Sequence, residues 1–107
     1  MTFVWDPAKA ERNFAKHGIS FEDAWEFDWP GAIVVDRSRR VDGERRQAAI
    51  GLLHGRVCTL IFTDRPDGVR LISFRRANRS EERVYEKACD TFSYRKCNHV
   101  KWLCHYC

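Results

Sequence analysis

The sequence predicts an α+β domain with two N-terminal helices, a small antiparallel sheet of three to four strands, and a C-terminal helix. Three observations lead there. Helix start and stop residues bracket two segments before Gly31, four short apolar or alternating runs follow, and a capped, highly charged stretch closes the body. A chain of 107 residues suits a single core. Residues 1–88 are therefore expected to form one domain, and 89–107, whose composition changes abruptly, a poorly ordered tail.

Asp6 can cap a first helix whose opening residue is Pro7, and Gly18 can end it. Ala10, Phe14 and His17 then share one face. Ser20 can cap a second helix, with Asp23 closing a capping box and Phe21 and Trp25, four apart, forming the buried stripe. "DWPG" at 28–31 stops it, because proline disfavours the helical conformation of the residue before it. The period then changes. "AIVVD", "RQAAIGLL", "VCTLIFT" and "VRLISFRR" read as strands, with turns at His54-Gly55 and at "DRPDG". Connections so short join antiparallel neighbours, so at least the last three strands form a meander. Cys58 falls in an apolar run and is expected to be a buried small hydrophobe. The closing helix starts where Asn78 caps and Glu81 answers three residues later. Within it Glu82 and Glu86 can pair with Arg79 and Arg83 at helical spacing.

The net charge is only +4, but the arginines cluster at 37–46 and again at 65–83. Guanidinium forks grip phosphate or carboxylate, so these clusters point to a polyanion or an acidic partner, against the plainer reading of a solvated, salt-bridged surface. No apolar stretch is long enough to span a membrane. The opening "MTFVWDPAK" lacks a basic leader followed by an apolar run, so a cytoplasmic protein is expected. The tail holds Cys89, Cys97, Cys104 and Cys107 with His99 and His105. Only Cys104 and Cys107 form a C-x2-C pair, so the spacing does not make a zinc site, and no metal or other cofactor is expected.

Strand alternation in "VRLISFRR" places Val69, Leu71, Ser73 and Arg75 on one face and Arg70, Ile72, Phe74 and Arg76 on the other. One of the paired arginines must then lie toward the core side, where an anion or carboxylate has to receive it. Cutting RNA without metal needs a base for the 2′-hydroxyl, an acid for the leaving oxygen, cations for the phosphorane-like transition state, and positioning. Glu44 or His17 can serve as base and His17 or Lys16 as acid, with Arg45, Arg75 and Arg76 on the phosphate. Each has a plainer reading. His17 suits the C-terminus of a helix dipole, Glu44 a surface pair with Arg45 or Arg46, and Tyr85 core packing rather than base stacking. Trp5, Phe14 and Trp25 are expected in the core.

"WDPAKAERNFAKHGISFEDA", "GERRQAAIG" and "RLISFRRANRSEERVYEK", in that order, resemble the BrnT toxins of type II toxin-antitoxin modules over Phe3 to Lys87. The resemblance implies a ribonuclease with a fold similar to the RelE toxins, which halts translation and growth by cutting RNA. It also implies a ribbon-helix-helix, BrnA-like antitoxin that covers the toxin and takes the complex to operator DNA. Carried over by position, the family's recurring polar residues fall on Lys16, His17, Glu44, Arg45, Arg76, Arg79, Arg83 and Tyr85; with Arg75 added from the arginine pair itself, the chemistry above assigns His17, Glu44, Arg45 and Arg76 to catalysis and Lys16, Arg75, Arg79, Arg83 and Tyr85 to RNA binding. Phe74 and Arg75 stand where the family often has a small residue before its basic pair, and the cysteine-rich tail has no counterpart. The competing reading is a noncatalytic RNA-binding or protein-interaction module.

Overall fold

Asp6, Pro7 and Gly18 set the limits of the first helix as their chemistry requires, in a computed structural model that describes residues 2–37 and 45–91, with side chains as far as residue 88. The helix, α1 (Pro7–His17), starts where the Asp6 carboxylate accepts the Ala8 amide at 3.0 Å. It ends at Gly18, whose φ of 72° no β-substituted residue adopts easily and whose amide donates to the Phe14 carbonyl.

The expected pair of N-terminal helices is corrected at the next element. Phe21–Trp25 is a 3₁₀ helix of five residues, with Ser20 Oγ accepting the Glu22 amide. Three residues per turn align Phe21 with Ala24, which are both buried, and turn Trp25 outward to 61% exposure. The stripe in α1 is also phased differently from expectation. Phe14 faces solvent, and the buried residue is Asn13.

The sheet is likewise larger than the expected three or four antiparallel strands. The described residues form five, β1 (Phe3–Val4), β2 (Ile33–Asp36), β3 (Gln47–Leu53), β4 (Arg56–Arg65) and β5 (Gly68–Arg76), in the order β1-β5-β4-β3-β2. The four strands read from the sequence are there and antiparallel, but β1 adds to β5 in parallel, making the sheet mixed. The RelE-like arrangement expected from the resemblance is corrected with it. Two residues are too few to show alternation, so β1 leaves no mark in the sequence. Its approach does explain Gly68. The Val69 amide donates to the Thr2 carbonyl at 2.8 Å, and a Cβ at Gly68 would sit 2.6 Å from that oxygen.

The β3–β4 connection is the expected two-residue turn. His54 and Gly55 both have positive φ, 50° and 81°, as the twist of a tight hairpin requires. Between β4 and β5 the register slips. Ile61 pairs with Ser73 but Phe62 with Leu71, so Ile72 is an extra residue and β5 changes faces there. Leu71 and Phe74 consequently point the same way, and both are fully buried.

That face carries the main core. Phe74, Leu60 and Phe62 meet Phe3, Phe27 and the rings around Trp29 beneath α1 and the 3₁₀ turn. Trp5 packs against its edge, and Cys58 is buried as expected, which pushes its thiol pKa up. On the other face Ala48, Ile50, Leu52 and Thr59 are covered where α2 (Arg79–Thr91) crosses β2, β3 and β4. Helices on both faces make three layers.

Beyond β1 no strand among the described residues lies beside the edge of β5, and Asn13 takes that place. Its side-chain amide donates to the Phe74 carbonyl at 2.9 Å and accepts from the Phe74 amide at 3.0 Å. A second donation, at 3.0 Å, reaches the Ile19 carbonyl. One polar side chain thus completes the sheet edge and fixes α1 to it.

Candidate phosphate-binding groove

Two adjacent residues of an extended chain point to opposite sides, and this sorts both arginine pairs. Arg75 and Ser73 leave β5 on the α2 face, and Arg76, whose Cα pairs with that of Cys58, leaves on the other. Before β3, Arg46 faces the α2 side, while Arg45 lines a separate cavity of about 480 Å³ with Asp36, Gln47 and Asp64. Arg37 follows β2, and its amide donates to the Arg46 carbonyl at 2.7 Å, which sets these two residues abreast.

The result is an open groove of about 410 Å³ lined by Arg37, Arg46 and Arg75, with Ser73, Asn78 and Glu81. Glu81 stands in the first turn of α2 and is only 2% exposed. The sequence-predicted capping box is present. Asn78 Oδ1 accepts the Glu81 amide at 2.8 Å, and Glu81 Oε1 accepts the Asn78 amide at 2.9 Å. The same carboxylate receives the Arg75 fork, Nη1 to Oε1 at 2.7 Å and Nη2 to Oε2 at 3.0 Å, and Arg37 Nη2 lies 3.7 Å from Oε2. The receiver that a half-buried arginine needs is therefore Glu81.

Burial works to raise the pKa of Glu81, but the hydrogen bonds from Arg75 and the Asn78 amide prevail and hold it at about 2, below the ordinary 4.5. A carboxylate depressed by folding stabilises the native state above its unfolded pKa, and here that amounts to about 3 kcal/mol. The contribution is complete above pH 4.5 and is lost as pH falls from there through about 2. Urea denaturation of wild type and Glu81→Gln between pH 2 and pH 7 should show the two stability curves converging toward the acid end. Parallel curves would show that the carboxylate is not held this way.

Apart from Arg75, none of the described sequence-predicted residues lines this groove. Lys16 is exposed and His17 half-buried in the last turn of α1. Burial first, then the charges of Lys16 and of Arg75, lower the His17 pKa below 6.5. A helix C-terminus alone would raise it, so the imidazole at neutral pH is uncharged and able to accept a proton. Arg79 and Arg83 are exposed on α2, and Tyr85, one turn beyond Glu81, is half-buried. Glu44 lies outside the described residues, as do Cys97, Cys104, Cys107, His99 and His105. Arg37, Arg46, Ser73 and Glu81 were not among the predicted site residues. Alternation running back from β3 would have separated Arg46 from Arg45, and the capping box marked Glu81, but nothing in the sequence shows its burial.

Asp23, Glu26 and His54 bring three ligand-type atoms within 4.8 Å of one another on the other side of the sheet. Glu26 and His54 are exposed and lie 2.7 Å apart in hydrogen-bonding contact, an arrangement common on protein surfaces. Among the described residues no helix is long and apolar enough to cross a membrane.

The groove presents arginine in a form suited to phosphate, and its chemistry agrees with the comparison with known families. No curated protein matches the chain closely enough to supply a relative. Residues 5–81, which span both arginine pairs, α1, the sheet from β2 to β5 and Glu81, match the family model of the ribonuclease toxin BrnT of type II toxin-antitoxin systems, and the chain belongs to that family.

Proposed function

We propose that the chain cuts RNA by transfer of the phosphodiester to the neighbouring 2′-hydroxyl, with the Arg37, Arg46 and Arg75 groove holding the phosphate. The observation that carries this is the convergence of three guanidiniums from three separate segments on one open groove. Arginine there neutralises the scissile phosphate and the charge that develops on its oxygens. Neutral His17 accepts the 2′-hydroxyl proton, and Lys16 beside it donates to the leaving oxygen. Arg79, Arg83 and Tyr85 extend contact along the RNA from α2, while Arg45 and Arg76 meet more distant phosphates.

The one carboxylate among the described groove-lining residues is already engaged by Arg75. The groove's donor set thus favours catalysis independent of metal. Cleavage in the cytoplasm halts translation and growth, and a ribbon-helix-helix antitoxin of the BrnA kind neutralises the toxin by covering the groove, with operator DNA bound through the complex.

The test is end-labelled RNA in excess chelator, incubated with wild type, Arg46→Ala and Arg45→Ala. Wild type should produce fragments, with the acid limb of its pH profile lying below the ordinary histidine value of 6.5. Arg46→Ala should cut at least about a hundredfold more slowly, the typical cost of removing a preorganised transition-state donor, and Arg45→Ala within a few-fold of wild type. Intact RNA with a folded wild type would move the reading to a binding module. Equal loss in both variants would remove the groove from the mechanism.

A further inference from the structure

An anion in a groove built to hold RNA opposes binding, so Glu81 needs a reason to be there. Capping α2 is not sufficient, because a glutamine in the same place could accept the Asn78 amide through its side-chain oxygen. What glutamine cannot do is receive both Nη groups of Arg75 on two equivalent acceptors, as Glu81 does at 2.7 and 3.0 Å.

A guanidinium has five donors in a rigid plane. Two bonds to one carboxylate fix that plane, and a third donation, Arg75 Nη1 to the Arg76 carbonyl at 3.3 Å, ties it to the strand end. The donors on Nε and the second hydrogen of Nη2 then keep a constant direction. Glu81 is itself held by its capping box and by burial, with Arg37 beside the same oxygen that takes Nη2. The start of α2 is thus a rigid mount for an arginine that comes from β5.

We propose that Glu81 is a positioning residue, which orients the Arg75 guanidinium for the transition state and does so at some cost in affinity for RNA. The proposal rests on the groove being the phosphate site. Removing the negative charge should therefore separate binding from turnover. RNA is held as well or better by a more positive groove, but Arg75, free to rotate, meets the developing charge less often.

The experiment compares the full-length wild type with Glu81→Gln by cleavage kinetics on a short RNA, with thermal melts to establish folding. The expected result is a kcat lower by about ten- to hundredfold, in the range that misplaced catalytic groups show, and a KM unchanged or reduced. An unchanged kcat with a reduced KM would overturn the proposal, leaving Glu81 as a charge that only tunes affinity. A kcat that falls only in proportion to the fraction unfolded at the assay temperature, with wild-type turnover per folded molecule, would overturn it in favour of a purely structural role. If Glu81→Gln melts below the assay temperature, Arg75→Lys, which keeps a cation beside Glu81 without the fork, should show the same loss confined to kcat. The nitrogen NMR signals of the Arg75 side chain provide a readout that needs no RNA. In wild type the two Nη groups should be distinct and slow to exchange, and in Glu81→Gln they should average. Absence of cleavage by wild type, with that NMR contrast present, would sink the phosphate-site reading and leave the orienting role standing. Averaged signals already in wild type would sink the orienting role itself.

Discussion

Arg75→Ala should destabilise the protein by about 3 kcal/mol, the lower end of what removing one partner of a buried ion pair costs, while Arg76→Ala should change stability by no more than about 0.5 kcal/mol. The two residues are adjacent and chemically identical. They differ in that Arg75 is the bidentate partner of a nearly inaccessible carboxylate, whereas Arg76 is exposed at the strand end. Truncating Arg75 leaves Glu81 charged with its principal hydrogen-bond donors gone, and Arg37, 3.7 Å away and half exposed, is a weak substitute. Against a total stability of roughly 5 to 15 kcal/mol for a domain of this size, a loss of 3 is large. Urea denaturation at pH 7 measures it. The variant is also expected to lose RNA cleavage, so stability and catalysis must be separated. Arg75→Met combined with Glu81→Gln removes both charges and keeps the cap, and should recover most of the stability without recovering cleavage. Recovery of cleavage in the double variant would show that Arg75 acts only through the fold. Equal destabilisation by Arg75→Ala and Arg76→Ala would contradict the face assignment outright.

That asymmetry also shows how far the sequence could be read. Features encoded by a few neighbouring residues were legible. The caps at Asp6, Gly18 and Asn78, the His54-Gly55 turn, the meander of β3 to β5 and the burial of Cys58 all follow from local chemistry. Features that depend on a partner distant in the chain were not. Strand β1 exists because β5 offers it an edge. The bulge at Ile72 shows only in the pairing with Ile61 and Phe62, and without it alternation assigns Leu71 and Phe74 to opposite faces when both lie in the core. Phe14 and Trp25 look like core residues by hydropathy, yet they face solvent because helix phase is set by Asn13 and by the 3₁₀ geometry of Phe21–Trp25.

The clustering of arginines behind the proposed site was legible in the sequence, but not their arrangement. Paired arginines at strand ends point to a surface that could receive an anion, and the structure gathers Arg37, Arg46 and Arg75 on one groove. Which member of each pair enters the groove depends on where alternation starts, and that is settled by the register of β3 and by the bulge in β5. Glu81 was visible as a capping residue, but its second role, as the acceptor for an arginine six residues away, requires knowing how α2 folds back over the sheet.

Asn13→Ala should cost about 2 to 4 kcal/mol, because the buried polar groups that Asn13 satisfies would lose their partner. Its amide serves the Phe74 amide, the Phe74 carbonyl and the Ile19 carbonyl at once, at 3.0, 2.9 and 3.0 Å. Water has poor access there, since Asn13 is 7% exposed and Phe74 is fully buried. Asn13→Asp should be no milder. It keeps an acceptor for the Phe74 amide, loses both donations and adds a buried charge. Denaturation gives the stability change, and hydrogen exchange at the Phe74 amide gives its location. In Asn13→Ala this amide should exchange much faster, because its acceptor on the β5 edge has gone. The effect should reach the groove as well. Phe74 precedes Arg75 in the chain, and His17 stands one turn beyond Asn13 on α1. The same three hydrogen bonds therefore hold the arginine and the histidine in register with each other. A variant that kept wild-type stability and a protected Phe74 amide would show that another group closes this edge, and the link from sheet edge to site would fail with it.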